Sequence, residues 1–191
     1  EGAEVTIFDE ADEGKLSRRI DAASQTGVTL ICGEAASSVV IQRGDFDLCI
    51  LSPGFDVQWP LPAKFTAAGT PLTGELEYAS QHCNFPFVAI TGTNGKSTTT
   101  ELFAEIMNRC GKRSIPCGNH GTALSEVLLN QESFDALSLE VSSFQLETIS
   151  SFHPHISMWL NFAADHLDRY LDEPAYYRAK FRIFENQTER D

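Results

Sequence analysis

Phe85 to Ile90 is a continuous apolar run that leads into a short glycine-rich loop and then an amphipathic segment. A short run this uniformly apolar reads as a strand buried on both faces, as in a parallel sheet covered by helices. The loop, Thr91-Gly92-Thr93-Asn94-Gly95-Lys96-Ser97-Thr98, has the residue types that anion chemistry needs. Glycines let backbone N–H groups approach a polyphosphate, and a helix N-terminus adds its positive dipole end. Lys96 places a charge on the β- and γ-phosphates, and the Ser97 hydroxyl can ligate Mg²⁺. The full phosphate-loop spacing would require Gly at position 90, where the chain has Ile90. The general pattern fails while its mechanics survive. A helix is expected from Ser97 to Cys110, with Leu102, Phe103, Ile106, Met107 and Cys110 on its packed face and Gly111 as its stop.

The rest of the chain alternates in the same way. Strands are expected at 3–8, 28–32, 46–51, 70–73, 135–141 and 155–160. Helices are expected at 15–25, 63–69, 75–82, 121–130 and 174–186. Ser52-Pro53-Gly54 reads as a forced turn, and Pro60 and Pro62 place 57–62 in a loop. The order is α/β with parallel sheets. A Rossmann-like unit is expected over 1–82, and a P-loop-type doubly wound domain over 83–191.

Composition limits the partners. Fourteen Lys+Arg against 27 Asp+Glu give a net charge of −13, which leaves no basic footprint for nucleic acid or an anionic membrane. No apolar run approaches the roughly 18 residues of a membrane span. Five cysteines without a Cys-x-x-Cys read as packing thiols of a reducing compartment. The chain opens Glu-Gly-Ala-Glu without Met or signal peptide, so a piece of a longer protein is expected.

Three further blocks carry chemistry. Leu137-Ser138-Leu139-Glu140-Val141-Ser142-Ser143-Phe144-Gln145-Leu146-Glu147 ends a strand in an acid, and in P-loop sheets an acid there holds the metal. Asn161 to Tyr170 sets His166 between Asp165 and Asp168, where an imidazole can meet a metal or a phosphate. Lys180 lies in a basic helical stretch, Tyr177 to Arg182. His153 and His155 flank Pro154 and read as structural.

Together these blocks resemble the Mur ligase family, ATP-dependent amide-forming enzymes of peptidoglycan synthesis, and the likeness is densest from Phe85 to Glu185. The shortened loop is that family's own. Glu140 to Glu147, Asp165 to Tyr170 and Lys180 to Asn186 are most similar to its D-glutamate-adding branch. The diaminopimelate- or lysine-adding branch typically has His at Phe144, and the L-alanine-adding branch has His at Asn94. The resemblance implies that Gly92, Thr93, Asn94, Gly95, Lys96, Ser97 and Thr98 hold the ATP phosphates. It implies one Mg²⁺ on Ser97 and Glu140 and a second served by His166 and Lys180. It makes Lys96, Glu140, His166 and Lys180 the catalytic set. In this family the lysine is carbamylated by CO₂, which requires a neutral amine and a depressed pKa.

Asn119, Ser142, Gln145 and His166 would face the muramoyl-alanine end of UDP-N-acetylmuramoyl-L-alanine. Asp9, Glu10 and Ser52-Pro53-Gly54 would line the uridine-diphosphate site, although Glu10 stands where a small hydroxylated residue is common. The implied reaction forms an acyl phosphate, which the amine of D-glutamate then attacks. A cytoplasmic monomer is implied. Family members have three domains, and the last, which binds D-glutamate, is not expected here. The 191-residue chain is therefore expected to be inactive by itself.

Other readings stay open. They are a folylpolyglutamate-synthase-like ligase or another Mur ligase, a dinucleotide-binding oxidoreductase, and a P-loop nucleotide-binding module without ligase activity. A GTPase would need Asn-Lys-x-Asp, and the chain has none.

Overall fold

The computed structural model describes residues 2–12, 14–16, 26–130, 132–165 and 169–189. The helix expected over 15–25 falls mostly outside them, as does His166. The chain divides into two compact units, Glu1–Cys49 with Phe55–Leu72, and Ile50–Gly54 with Thr73–Asp191.

In the first unit, strands β1 (Thr6–Asp9) and β2 (Thr29–Cys32) pair in parallel, Thr6 against Thr29 through Asp9 against Cys32. Two helices follow, α1 (Glu34–Ser38) and α2 (Pro60–Ala68). Phe8, Phe46 and Phe65 meet with ring centroids 5.4 to 5.7 Å apart. Lys64 Nζ donates to the carbonyls of Ser37 and Val39, tying α2 to the end of α1. Helix α2 starts inside the stretch expected to be loop. Pro60 is at its first turn, where the missing N–H would have had no intrahelical acceptor anyway.

Strands β3 (Cys49–Leu51) and β4 (Leu72–Gly74) pair with each other, and the unit boundary cuts both. Helix α3 (Glu75–Gln81) belongs to the second unit, whereas a boundary near residue 82 would put it in the first. Its acids decide this. Glu75 accepts the backbone N–H of Ser125 at 2.9 Å. Glu77 is buried and takes the N–H groups of Ser150, Ser151 and Phe152, the Ser151 hydroxyl and the Gln81 amide.

The second unit holds a four-stranded parallel sheet. Its strands are β5 (Phe87–Thr91), β6 (Ser114–Gly118), β7 (Ala136–Glu140) and β8 (Ile156–Trp159), in the order β6-β7-β5-β8. Helices α4 (Lys96–Arg109), α5 (Leu124–Leu129), α6 (Ser143–Leu146) and α7 (Glu173–Phe181) complete it, with a 3₁₀ turn at Arg182–Phe184. Every residue of β5 and β7 is buried, as the apolar runs require. The register aligns Ile90 with Glu140 and Gly118 with Glu140, and Thr91 with Trp159. All four strands thus end at one edge, where ligands bind in open parallel sheets.

Helix α4 packs differently from expectation. Leu102 and Ile106 are 55% and 52% exposed, and Cys110 is exposed. The fully buried positions are Thr100 and Ala104, with Phe103 and Met107 half-buried beside them. Small residues let the helix axis approach the sheet, and the Ser138 hydroxyl there donates to the Thr100 carbonyl at 2.7 Å. Cys110 therefore departs from the packing role expected of all five thiols. Cys117 keeps it, and burial pushes its thiol up to about 12.

Glu77 has a testable consequence. Burial raises its pKa, but hydrogen bonds from Ser151, Ser150 and Gln81 outweigh this and hold the carboxyl below 4.5. Its folded pKa lies below the unfolded value, so its contribution is complete above pH 4.5 and is lost as pH falls through the folded value. Glu77→Ala leaves three backbone donors without this acceptor and should cost about 3 kcal/mol at pH 7. Urea unfolding of the variant and the native chain should converge under acid conditions.

Candidate functional site

Polar side chains of several elements converge at the carboxyl edge of the second unit's sheet. Gly92 leaves β5 at the point where a Cβ would lie 3.2 Å from Leu160 Cβ and 3.4 Å from Asn161 N. Only a glycine lets the loop run this close to the segment after β8. Gly95, at φ +82°, turns the chain into α4. The first N–H groups of α4 have no acceptor within the helix and point out of this edge.

Glu140 ends β7 and is 2% exposed. Its Oε2 accepts the Ser97 hydroxyl at 2.7 Å, and its Oε1 accepts Asn119 Nδ2 at 2.8 Å. The Asn119 N–H donates to the Glu140 carbonyl at 2.9 Å. Gly118 makes this approach possible. At φ +97°, a Cβ there would lie 2.4 Å from the Glu140 carbonyl oxygen.

Two lysines flank the loop. Lys96 Nζ donates to the Thr93 carbonyl at 3.1 Å. Lys180 reaches in from α7, 1% exposed, and donates to the Gly92 carbonyl at 2.9 Å. Its Nζ also lies 4.7 Å from the Tyr176 ring centroid. Burial and the neighbouring Lys96 pull the Lys180 amine from 10.5 down to about 8, against the opposing pull of Asp165 and Glu140. This is the direction the sequence led us to expect.

The oxygen donors Ser97 and Glu140 suit Mg²⁺, which typically takes one or two carboxylates and fills its remaining positions with water and phosphate. Among the described residues there is no group of three His, Cys, Asp or Glu able to hold a metal ion.

Comparison with known proteins bears on the same residues. Residues 90–191, more than half of the chain, match the model of the Mur ligase middle domain. The chain belongs to the Mur ligase family. It is 42% identical, over its whole length, to the UDP-N-acetylmuramoylalanine–D-glutamate ligase of Syntrophotalea carbinolica, and covers 41% of that protein. It is 40% identical to the enzyme of that name from Geobacter metallireducens, again covering 41% of it. The chain therefore spans about two fifths of the length of these relatives. The fold is shared with a UDP-N-acetylmuramate:L-alanyl-γ-D-glutamyl-meso-diaminopimelate ligase from Neisseria meningitides. That match has a TM-score of 0.56 at 17% identity, and it covers 98% of this chain and 61% of the other.

As a Mur ligase chain, it brings together Lys96, Ser97, Asn119, Glu140 and Lys180 of the residues singled out in the sequence. His166 lies outside the described residues. Ser142 and Gln145 serve the backbone in this structure. The Ser142 hydroxyl accepts the Gln145 N–H, and buried Gln145 Oε1 accepts the Ser142 N–H and hydroxyl, so the two form a capping box on α6. The Ser-x-x-Gln spacing carries that signal.

Arg182 closes the other end of α6, donating to the carbonyls of Leu146, Glu147 and Ile149. Asn186 Nδ2 holds the carbonyls of Ser150 and Phe152. Of the Lys180 to Asn186 block, Lys180 reaches the loop after β5, while Arg182 and Asn186 hold the segment from Leu146 to Phe152. In the first unit, Asp9 Oδ1 accepts the Ala11 N–H and Glu10 Oε1 accepts the Ser37 hydroxyl. Ser52, Pro53 and Gly54 belong to the second unit and follow β3 as the expected turn. His153 and His155 line a cleft of about 230 Å³ with Cys83, Phe85 and Phe87, at the amino ends of β5 and β8. That cleft is at the opposite edge of the sheet from the loop.

Lys180 predicts a pH dependence. Between about 8 and 10.5 the unfolded chain holds a proton that the folded chain has lost, so stability rises with pH across that window. In urea unfolding, the native chain should gain on Lys180→Met between those values and show a flat difference below them.

Proposed function

We propose that this chain supplies the nucleotide-binding centre of an ATP-dependent ligase that adds D-glutamate to UDP-N-acetylmuramoyl-L-alanine. The observation that carries the reading is the Ser97–Glu140–Asn119 constellation beside Lys96 at the head of a parallel sheet. The names of the relatives supply the substrates.

The chemistry follows from the charges. A carboxylate attacking a phosphoryl group brings two anions together, so the site must neutralise charge and exclude alternatives. The N–H groups at the start of α4 and the Lys96 ammonium would cradle the β- and γ-phosphates, with Lys96 leaving the Thr93 carbonyl to do so. Ser97 and Glu140 would hold a Mg²⁺, whose charge, when bound, offsets that of the phosphoryl oxygens. Asn119 keeps one Glu140 oxygen engaged so that the other faces Ser97. An alanine carboxylate oxygen would bond to the γ-phosphorus as ADP leaves. The D-glutamate amine would then bond to the acyl carbon as phosphate leaves.

Calorimetric titration of the chain with MgATP tests the site. Lys96→Ala and Glu140→Gln should each weaken binding by about tenfold or more, because each removes a charged partner. Equal affinity in all three chains contradicts the reading. Amino-acid specificity is tested on the full-length reading frame, by phosphate release with D-glutamate, L-alanine or diaminopimelate. Preference for either of the last two contradicts it.

The lowered Lys180 pKa supports the carbamate as well, since a neutral amine is the form that takes up CO₂. Incubation with ¹³C-bicarbonate should give a carbamate carbonyl NMR signal that is absent from Lys180→Met. Identical spectra would remove the proposal.

A further inference from the structure

The loop after β5 is held from outside itself. The Asn94 N–H donates to Asn161 Oδ1 at 3.0 Å, and Asn161 Nδ2 donates to the Asn94 carbonyl at 2.9 Å. One side-chain amide thus pairs with both polar groups of a single residue, as a neighbouring strand would. Only one orientation of the carboxamide satisfies both bonds. The Asn161 backbone adds a third, accepting the Thr93 N–H at 3.2 Å. The same carbonyl accepts the Trp159 indole N–H at 2.8 Å, which anchors Asn161 to the end of β8.

These bonds sort the donors of the loop. The N–H groups of Thr93 and Asn94 are turned towards Asn161 and away from any anion at the helix end. Thr99 is the first residue whose N–H closes onto the loop, at the Gly95 carbonyl. The amides from Gly95 to Thr98 lie between these two sets.

We propose that Asn161 is the positioning residue of the phosphate loop. It fixes the Thr93–Asn94 peptides as a wall and leaves the polyphosphate to the amides of Gly95 to Thr98 and to Lys96. The inference rests on the nucleotide reading above and narrows it, since Asn94 then contributes no backbone donor to the phosphates. It also gives a reason why a loop with Ile90 in place of the usual first glycine keeps its shape. The closure that a longer loop would make within itself is made by a side chain from the end of β8, the strand paired with β5.

The test uses the 191-residue chain with backbone amides assigned by NMR. In Asn161→Ala, hydrogen exchange at Asn94 should accelerate about tenfold, and MgATP affinity should fall by a similar factor. Asn161→Asp keeps an acceptor for the Asn94 N–H but no donor for its carbonyl, so it should fall between the two. It also decides the matter if Asn161→Ala does not fold. Lys96→Ala should lower affinity while leaving Asn94 exchange unchanged. On adding MgATP, the amide signals of Gly95 to Thr98 should move much more than that of Asn94.

Asn94 exchange within about twofold of the native rate in both Asn161 variants would overturn the proposal. So would an Asn94 shift as large as those of Gly95 to Thr98. If the native chain takes up no MgATP, the nucleotide reading falls, and exchange at Asn94 still decides for or against Asn161.

Discussion

The site depends on one buried carboxylate. Glu140 sits where three pieces of chain meet: the first turn of α4 through Ser97, the loop after β6 through Asn119, and the end of β7 itself. A buried carboxylate is costly unless its oxygens are engaged, and here each has a donor. The constraint runs back into the sheet. Glu140 is level with both Ile90 and Gly118 only because β5, β6 and β7 are parallel and in this register. A side chain at position 118 would meet the Glu140 backbone carbonyl, so the close approach of the two strand ends that brings Asn119 to the acid requires a glycine there.

Charge is organised locally against the global balance. The chain carries −13 overall, yet Lys96 and Lys180 both donate to carbonyls of the same loop. Their mutual repulsion and burial are registered in the lowered Lys180 pKa. The amine still carries its proton for the most part at neutral pH, but its neutral form is far more populated than in a free lysine.

Much of this was legible in the residues. The apolar run, the glycines and Lys96-Ser97 placed the loop between β5 and α4, and an acid at a strand end pointed to Glu140. Periodicity misjudged α4, because large apolar residues at 102, 103, 106 and 107 cover more of the helix than the sheet contacts. Thr100 and Ala104, less conspicuous in sequence, take the inner face. Pro60 and Pro62 read as loop because proline breaks a helix interior, yet Pro60 starts one. The resemblance implies that Ser142 and Gln145 face a ligand, and their Ser-x-x-Gln spacing also describes the cap that they form. Asn161 entered only as the first residue of the His166 block, and Glu77 gave no sequence signal. Asn161 meets Asn94 across 67 residues and Glu77 meets its backbone donors across more than 70, a proximity that only the folded sheet creates.

The bond from the Trp159 indole to the Asn161 carbonyl extends the site to an optical probe. Indole emission responds to the polarity and hydrogen bonding of its N–H, and this N–H shares its acceptor with the loop amide of Thr93. Trp159 also touches Tyr177, Phe181 and Phe184, so its ring is fixed among aromatics while its nitrogen faces the loop. Any rearrangement of the loop changes what that acceptor offers the indole. The chain thus carries its own fluorescent reporter, one hydrogen bond away from the residue that shapes the loop.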